Sequence, residues 1–256
     1  IQCVVTSPPY FGLRDYGVAG QIGVEDELQQ YIDNLVKVFR GIRPALKKNG
    51  VVWLNLGDSF AGNVSAGDKV FGNPEFNKNR PSREETKTPK RKIPFGMKAR
   101  DLMMVPHRVA IALQQDGWYV RSDIVWEKPN CMPESTKSRP TRSHEYIFLL
   151  SKSESYFFDT ESIAEIAVSG PERRRRRSVW TINTKPFKEA HFAVMPEAIA
   201  ELCILAGSEP GDLILDPFAG ACTTGVVARK LRRNFIGIDL NGAYLDIGRK
   251  RMKECR

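Results

Sequence analysis

Histidine is scarce in this chain: three in 256 residues, at positions 107, 144 and 191. Cysteine is also scarce: Cys3, Cys131, Cys203, Cys222 and Cys255 make five, an odd number with no Cys-x-x-Cys pair. These shortages speak against a disulfide framework and against a Cys/His zinc site, so no metal is expected and a reducing compartment fits. No apolar run approaches transmembrane length and no signal peptide is visible, so no membrane partner is expected. Neither Gly-x-Gly-x-x-Gly nor a Gly-Lys-Ser/Thr phosphate loop occurs, which counts against dinucleotide and P-loop enzymes. Acidic residues fall short of basic ones, 30 against 39, and the formal charge of +9 points to a polyanion as partner.

What the chain does have begins at Thr6-Ser7-Pro8-Pro9-Tyr10. The apolar Cys3-Val4-Val5 ahead of it reads as the end of a buried strand, and Phe11-Gly12-Leu13 as a turn away from it. Two prolines fix two φ angles and remove two backbone donors, leaving a stiff corner at a strand's carboxyl end. Open α/β sheets bind ligands at such ends. A hydroxyl, rigid carbonyls and an aromatic face suit methylation of an exocyclic nucleobase amine, whose lone pair is delocalised into the ring. Acceptors such as Ser7 Oγ and the Pro8 carbonyl can bind the amine, with Tyr10 stacked on an extruded base. The plainer reading, a surface diproline turn with a Tyr for packing, fits these five residues equally well.

Leu28, Tyr31, Ile32, Leu35, Val38, Phe39, Ile42 and Leu46 recur at helical spacing behind Glu25-Asp26-Glu27, and Lys47-Lys48-Asn49-Gly50 reads as the stop. Val51–Leu56 reads as a buried strand, followed by Gly57-Asp58-Ser59. Asp58 is a candidate to orient Ser7 or a substrate N–H, or else a turn cap. Residues 61–100 turn polar and basic, Lys90, Arg91 and Lys92 included, and read as a long loop insertion. The Pro89–Lys92 run is also similar to a nuclear-import signal.

A helix over 107–116 and a strand over 118–126 precede a loop at 128–133. Arg139 and Arg142 then lead through His144-Glu145 into an apolar strand, 146–150; His144 reads as a structural histidine before a catalytic base. Residues 151–178 are polar and irregular and end in five arginines, Arg174 and Arg175 among them, a run that is solvated unless a polyanion holds it. A helix follows Pro196 and stops at Gly207.

The last third carries a second constellation. A short strand, Leu213–Leu215, runs straight into Asp216-Pro217-Phe218-Ala219-Gly220-Ala221-Cys222-Thr223-Thr224-Gly225. A helix opens, and a second strand, Phe235–Ile238, ends in Asp239. Gly220 and Gly225 let backbone approach a ligand, the two threonines put hydroxyls near a helix N-terminus, and Asp239 is placed to bind ribose hydroxyls. An ordinary βαβ unit is the plainer alternative.

Together the two motifs resemble the β class of amino-methylating DNA methyltransferases, with the catalytic motif first and the cofactor motif last. The resemblance runs from Val4 to Arg251 and counts against glutamine and ribosomal methyltransferases, in which the cofactor motif comes first. It implies a single α/β, Rossmann-like methyltransferase fold over 1–256, with a mixed seven-stranded sheet in permuted order. It implies S-adenosyl-L-methionine as cofactor, with Phe218 near its adenine and methionine portion. Asp216, Gly220, Thr223 and Thr224 surround its amino-acid end, with Thr6 and Phe192 as further contacts and Asp239 on the ribose. Ser7, Pro8, Pro9 and Tyr10, with Asp58, are implied as the catalytic set, and DNA as the partner. Arg14, Arg139, Arg142, Lys90–Lys92, Arg174 and Arg175 are the candidate DNA contacts, with 151–178 as target-recognition segment. In this family Ser-Pro-Pro-Tyr usually goes with cytosine N4, which is the reaction expected, adenine N6 and an inactive DNA-binding module being the alternatives. No Pro-Cys dipeptide occurs, so the covalent cysteine route to cytosine C5 lacks its nucleophile. An intracellular place with DNA is expected. The chain opens on Ile1 inside a strand pattern, and a native segment before it is expected.

Overall fold

The computed structural model describes residues 1–62, 93–167, 170–185 and 195–255. In chain order the elements are β1 (Cys3–Thr6), α1 (Leu28–Ile42), β2 (Val51–Leu56), α2 (Val105–Gln115), β3 (Tyr119–Glu127) and β4 (His144–Ser151). Then come β5 (Glu165–Ile166), β6 (Arg173–Arg174), β7 (Val179–Thr181), α3 (Glu197–Gly207), β8 (Leu213–Asp216), α4 (Thr223–Lys230), β9 (Asn234–Gly237) and α5 (Gly242–Glu254). Seven strands form one mixed sheet in the order β7-β3-β4-β2-β1-β8-β9, and β5 and β6 form a separate hairpin. Within the seven-stranded sheet β4 runs antiparallel to both of its neighbours, and the other pairs are parallel.

The central strands are buried on both faces, so their period-2 alternation sorts side chains between two cores. Val4, Val52, Leu54 and Leu56 face α1 and α2, while Cys3, Val5, Val51 and Trp53 face α3 and α4. Burying one such large apolar side chain stabilises the fold by roughly 1.5–3 kcal/mol. α1 buries Leu28, Tyr31, Ile32, Leu35, Phe39 and Ile42, the stripe its spacing predicts. It ends at Ile42, earlier than the Lys47–Gly50 stop: Pro44 has no N–H to continue the ladder, and the chain closes in turns, Ala45 N and Leu46 N both donating to Ile42 O.

Two other expectations are corrected. Residues 151–178 are not wholly irregular, because Glu165–Ile166 pairs with Arg173–Arg174. A helix not anticipated from sequence, α5, follows β9; only Gly248 of it is buried, so it shows no apolar stripe. Lys90–Lys92 and Phe192 lie outside the described residues. Among the described residues, no helix is long and apolar enough to cross a membrane.

β1 feeds α1 and β2 on one side, and β8 feeds α4 and β9 on the other. The strand order therefore reverses between β1 and β8, and a crevice opens beyond their carboxyl ends, the place such sheets bind ligands.

Candidate active site

Both motifs leave the sheet at that switch point. Thr6, the last residue of β1, donates from Oγ1 to Asp216 Oδ1 at 2.7 Å across 210 residues of sequence. Thr224 donates to Asp216 Oδ2 at 2.8 Å, and Phe218 N to Oδ1 at 3.1 Å. Asp216 is thus a buried carboxylate held by three donors. Burial dominates and pushes its pKa up to about 6, against the pull of those donors. The Thr224 hydroxyl also lies 3.3 Å from Val5 O, and Thr223 Oγ1 accepts from Arg251 at 3.2 Å. Both hydroxyls therefore brace the turn.

Asp239 closes the turn from the next strand. Its Oδ2 accepts from Gly220 N and its Oδ1 from Asn241 N, each at 2.8 Å, and each oxygen keeps a further lone pair. Gly220 sits at φ +48 with no atom within 4 Å of where a Cβ would stand, so open space lies beside it. Cys222, at φ +57, puts a non-glycine residue in the left-handed region just before α4.

The diproline corner is held by the antiparallel half of the sheet. The Tyr10 hydroxyl donates to Glu145 Oε2 at 2.6 Å and lies 3.3 Å from Asn55 Oδ1. Asn55 Nδ2 donates to the same Glu145 oxygen at 3.2 Å, and Lys128 pairs with the other. Burial, then the Glu145 carboxylate, hold the Tyr10 phenol well above its ordinary pKa, so it stays a donor. Its ring lies against Gly57, where a Cβ would stand 2.4 Å from ring carbon Cε2. Ser7 Oγ donates to the Tyr10 oxygen at 3.4 Å. Pro9 O is taken by the Tyr31 hydroxyl at 2.9 Å, while Pro8 O has no hydrogen-bond partner among the described residues. Tyr10 and Phe218 both pack against the same core, on one side of the sheet.

The remaining candidates sort by their partners. Asp58 Oδ1 accepts from Ser59 N and Val105 N, both at 2.9 Å, and so caps its turn and the start of α2. Its other oxygen is 3.7 Å from Arg142, and no bond joins it to Ser7, which is the turn-cap arrangement. Arg139 pairs with Glu134 and lies 3.9 Å over the Phe60 ring. Arg174 pairs with Glu165 at 3.0 Å. Arg139, Arg142 and Arg174 thus each carry a carboxylate of this chain, whereas Arg175 is exposed. Arg14 donates to the Tyr16 hydroxyl. His144 packs edge-on against Tyr146 at 5.3 Å, and burial, then Arg142 and Lys128, lower its pKa.

Sequence reading passed over Asn55 and Lys128. A signal for Asn55 was present: a lone amide in Val-Val-Trp-Leu-Asn-Leu must find buried partners. Among the described residues no cluster of three or more His, Cys, Asp or Glu has metal-binding proximity.

A doubly wound sheet with a glycine turn and an acidic strand tip at its switch point defines the class: a Rossmann-like, S-adenosylmethionine-dependent methyltransferase fold. The PvuII DNA methyltransferase (cytosine-N4-specific) superposes with a TM-score of 0.70 at 20% identity, over 98% of this chain and 79% of that one. A putative DNA modification methylase from Thermus thermophilus, complexed with S-adenosyl-L-methionine, gives 0.64 at 21% identity, over 99% and 86%. At these identities the likeness is one of fold.

Residues 1–250 match the model of the N6/N4 methyltransferase family, described as DNA methylase, and the chain belongs to that family. The type II methyltransferase M.SmaI of Serratia marcescens is 53% identical over 256 residues, 99% of this chain and 85% of the relative. M.Cfr9I of Citrobacter freundii, also a type II methyltransferase, is 47% identical over 99% of this chain and 81% of its own length. S-adenosyl-L-methionine is the family's methyl donor, and DNA its substrate.

Proposed function

We propose that this DNA methylase transfers its methyl group to the exocyclic N4 amine of a cytosine flipped out of the duplex. The observation that carries the cytosine assignment is Ser7 at the head of the diproline corner, the residue that resembles the N4 type. The cytosine-N4 specificity of the PvuII enzyme, similar in fold, supports the same reading.

The corner's hydrogen bonds have a fixed polarity. A carboxylate only accepts, so Glu145 accepts the hydrogen bond of the Tyr10 hydroxyl, which keeps its proton. The Tyr10 oxygen then accepts from Ser7, whose own proton is thereby committed and whose Oγ lone pairs face outward as acceptors. Ser7 Oγ and the unpartnered Pro8 carbonyl bind the two amine hydrogens, draw the nitrogen toward tetrahedral geometry and aim its lone pair at the methyl donor. Tyr10, its hydroxyl anchored, offers the rest of its ring to the base. The chemistry is mainly positioning and polarisation of the amine.

The residues on the opposite rim fit the methyl donor. Gly220 leaves room for it, Asp239 keeps lone pairs for ribose hydroxyls, and Asp216, whose charge is disfavoured by burial, gains from a cationic ligand. When bound, the donor supplies an electrophilic methyl on a sulfonium. Phe218 packs beside it, and Thr6, Thr223 and Thr224 keep the turn rigid.

The test is nucleoside mass spectrometry of DNA treated with the protein and S-adenosyl-L-methionine. N4-methylcytosine is expected. N6-methyladenine alone would overturn the Ser7 argument and assign the same site to adenine. Cofactor binding without any methylated base would make the chain an inactive binding module.

A further inference from the structure

The segment between the diproline corner and α1 is a built element. Gly12 N donates to Gly23 O at 2.7 Å and closes the neck of a compact Ω-shaped loop, residues 12–23. Gln21 laces it from inside: Oε1 accepts from Tyr16 N at 2.8 Å and Val18 N at 3.5 Å, and Nε2 donates to Arg14 O at 3.3 Å. Gly17, Gly20 and Gly23 all have positive φ, the geometry this folding requires. The loop does not stay over its own strand. It carries Tyr16 across the switch point to Tyr244 of α5, where the rings meet edge to face with centroids 6.2 Å apart at 89°. Tyr244 lies in the first turn of α5, just after Asp239 and its neighbour Asn241, which caps that helix. Arg14 holds the Tyr16 hydroxyl, and Asp239 is close enough to influence both phenols. A strap rooted in the corner thus ends on the far rim, beside the acidic strand tip.

We propose that Tyr16 and Tyr244 form the outer wall of the pocket for the adenosine end of the methyl donor. The assignment rests on the reading of Asp239 as the ribose acceptor. The wall joins the two rims, since the strap begins two residues after Tyr10 and ends on Tyr244. Arg14, a candidate DNA contact by sequence, serves here to hold Tyr16.

The test is isothermal titration of S-adenosyl-L-methionine and S-adenosyl-L-homocysteine into the wild type, Tyr16→Ala, Tyr244→Ala and the double variant. Each single change is expected to weaken both ligands about tenfold, the size of a lost ring contact. The double variant should bind no worse than about threefold below either single, because the rings act as a unit. In turnover the loss should appear in KM for S-adenosyl-L-methionine ahead of kcat, and Tyr16→Phe should restore most of it. Affinities within twofold of wild type in both alanine variants would overturn the proposal. Asp239→Ala separates the layers. If it weakens binding while the tyrosine variants do not, only the wall falls. If it too binds as wild type, the placement of the adenosine end falls with it.

Discussion

The two rims of the crevice are held in different ways. The glycine turn is built mostly from its own neighbourhood: Asp216, Phe218, Gly220, Thr224 and Asp239 bond one another within one βαβ unit, and Val5 and Thr6 of β1 reach in from afar. The diproline corner is built from a distance, its Tyr10 held by Asn55, 45 residues on, and by Glu145, 135 residues on. One rim is a local fold and the other is a tertiary assembly. Damage to the second should therefore be separable from cofactor binding.

The largest expected effect breaks the tertiary rim alone. Glu145→Ala removes the acceptor that orients Tyr10 and Ser7 and leaves Lys128 without its partner. Transfer at saturating cofactor should fall about 100-fold, the scale of a 1 Å misplacement. Affinity for S-adenosyl-L-methionine in titration should stay within about twofold. Weakened cofactor binding of the same size would show that the rims are not independent.

Next is Gly57→Ala, whose Cβ would stand 2.4 Å from the Tyr10 ring. With the ring tethered at its hydroxyl, the clash should cost roughly 1–3 kcal/mol, read as a lowered midpoint in urea, and slow transfer as well. An unchanged midpoint would mean the ring swings freely and the tether is weak.

The local rim should respond to pH. Asp216 has its pKa raised from 3.8 to about 6, so its charge is disfavoured in the fold. That contribution to stability is full below 3.8 and is lost as pH rises through about 6. A cationic ligand favours the ionised form, so affinity for S-adenosyl-L-methionine should rise about tenfold from pH 5 to pH 7, with proton release on binding. A flat curve would place the cofactor's charge away from Asp216.

The smallest effect lies outside both rims. Of the arginine run, Arg174 and Arg176 pair with Glu165, while Arg175 and Arg177 are exposed. Replacing Arg175 and Arg177 by Ala should reduce the slope of log affinity against log salt for DNA by about one each. An unchanged slope would remove them from the DNA surface.

The same contrast decides what was legible in the sequence. The turn could be read because Asp216 to Asp239 is contiguous and every part has a local reason. Six of the sheet's seven strands were readable, from apolar runs such as Val51–Leu56 or from alternation, whereas β7, only three residues long, was not anticipated. The clamp on Tyr10 was not, since nothing near Ser7 announces Glu145, and Asp58, closer in sequence, was left open between orienting Ser7 and capping a turn. Its oxygens are instead occupied by Val105 N, Ser59 N and Arg142. The α5 helix escaped because Gly248 is its one fully buried residue, packed so closely that a Cβ would stand 2.3 Å from Cys222 Sγ. Neither the strap nor its tyrosine pair carries a periodic signal.

That the corner performs the transfer is tested most directly by Tyr10→Ala, with the methyl-transfer rate measured at saturating S-adenosyl-L-methionine on DNA and cofactor affinity measured alongside. Loss of detectable transfer with affinity within twofold of wild type is the expected result. A rate equal to wild type would contradict the account, since no other part of the described crevice offers a base its aromatic face and its acceptors together.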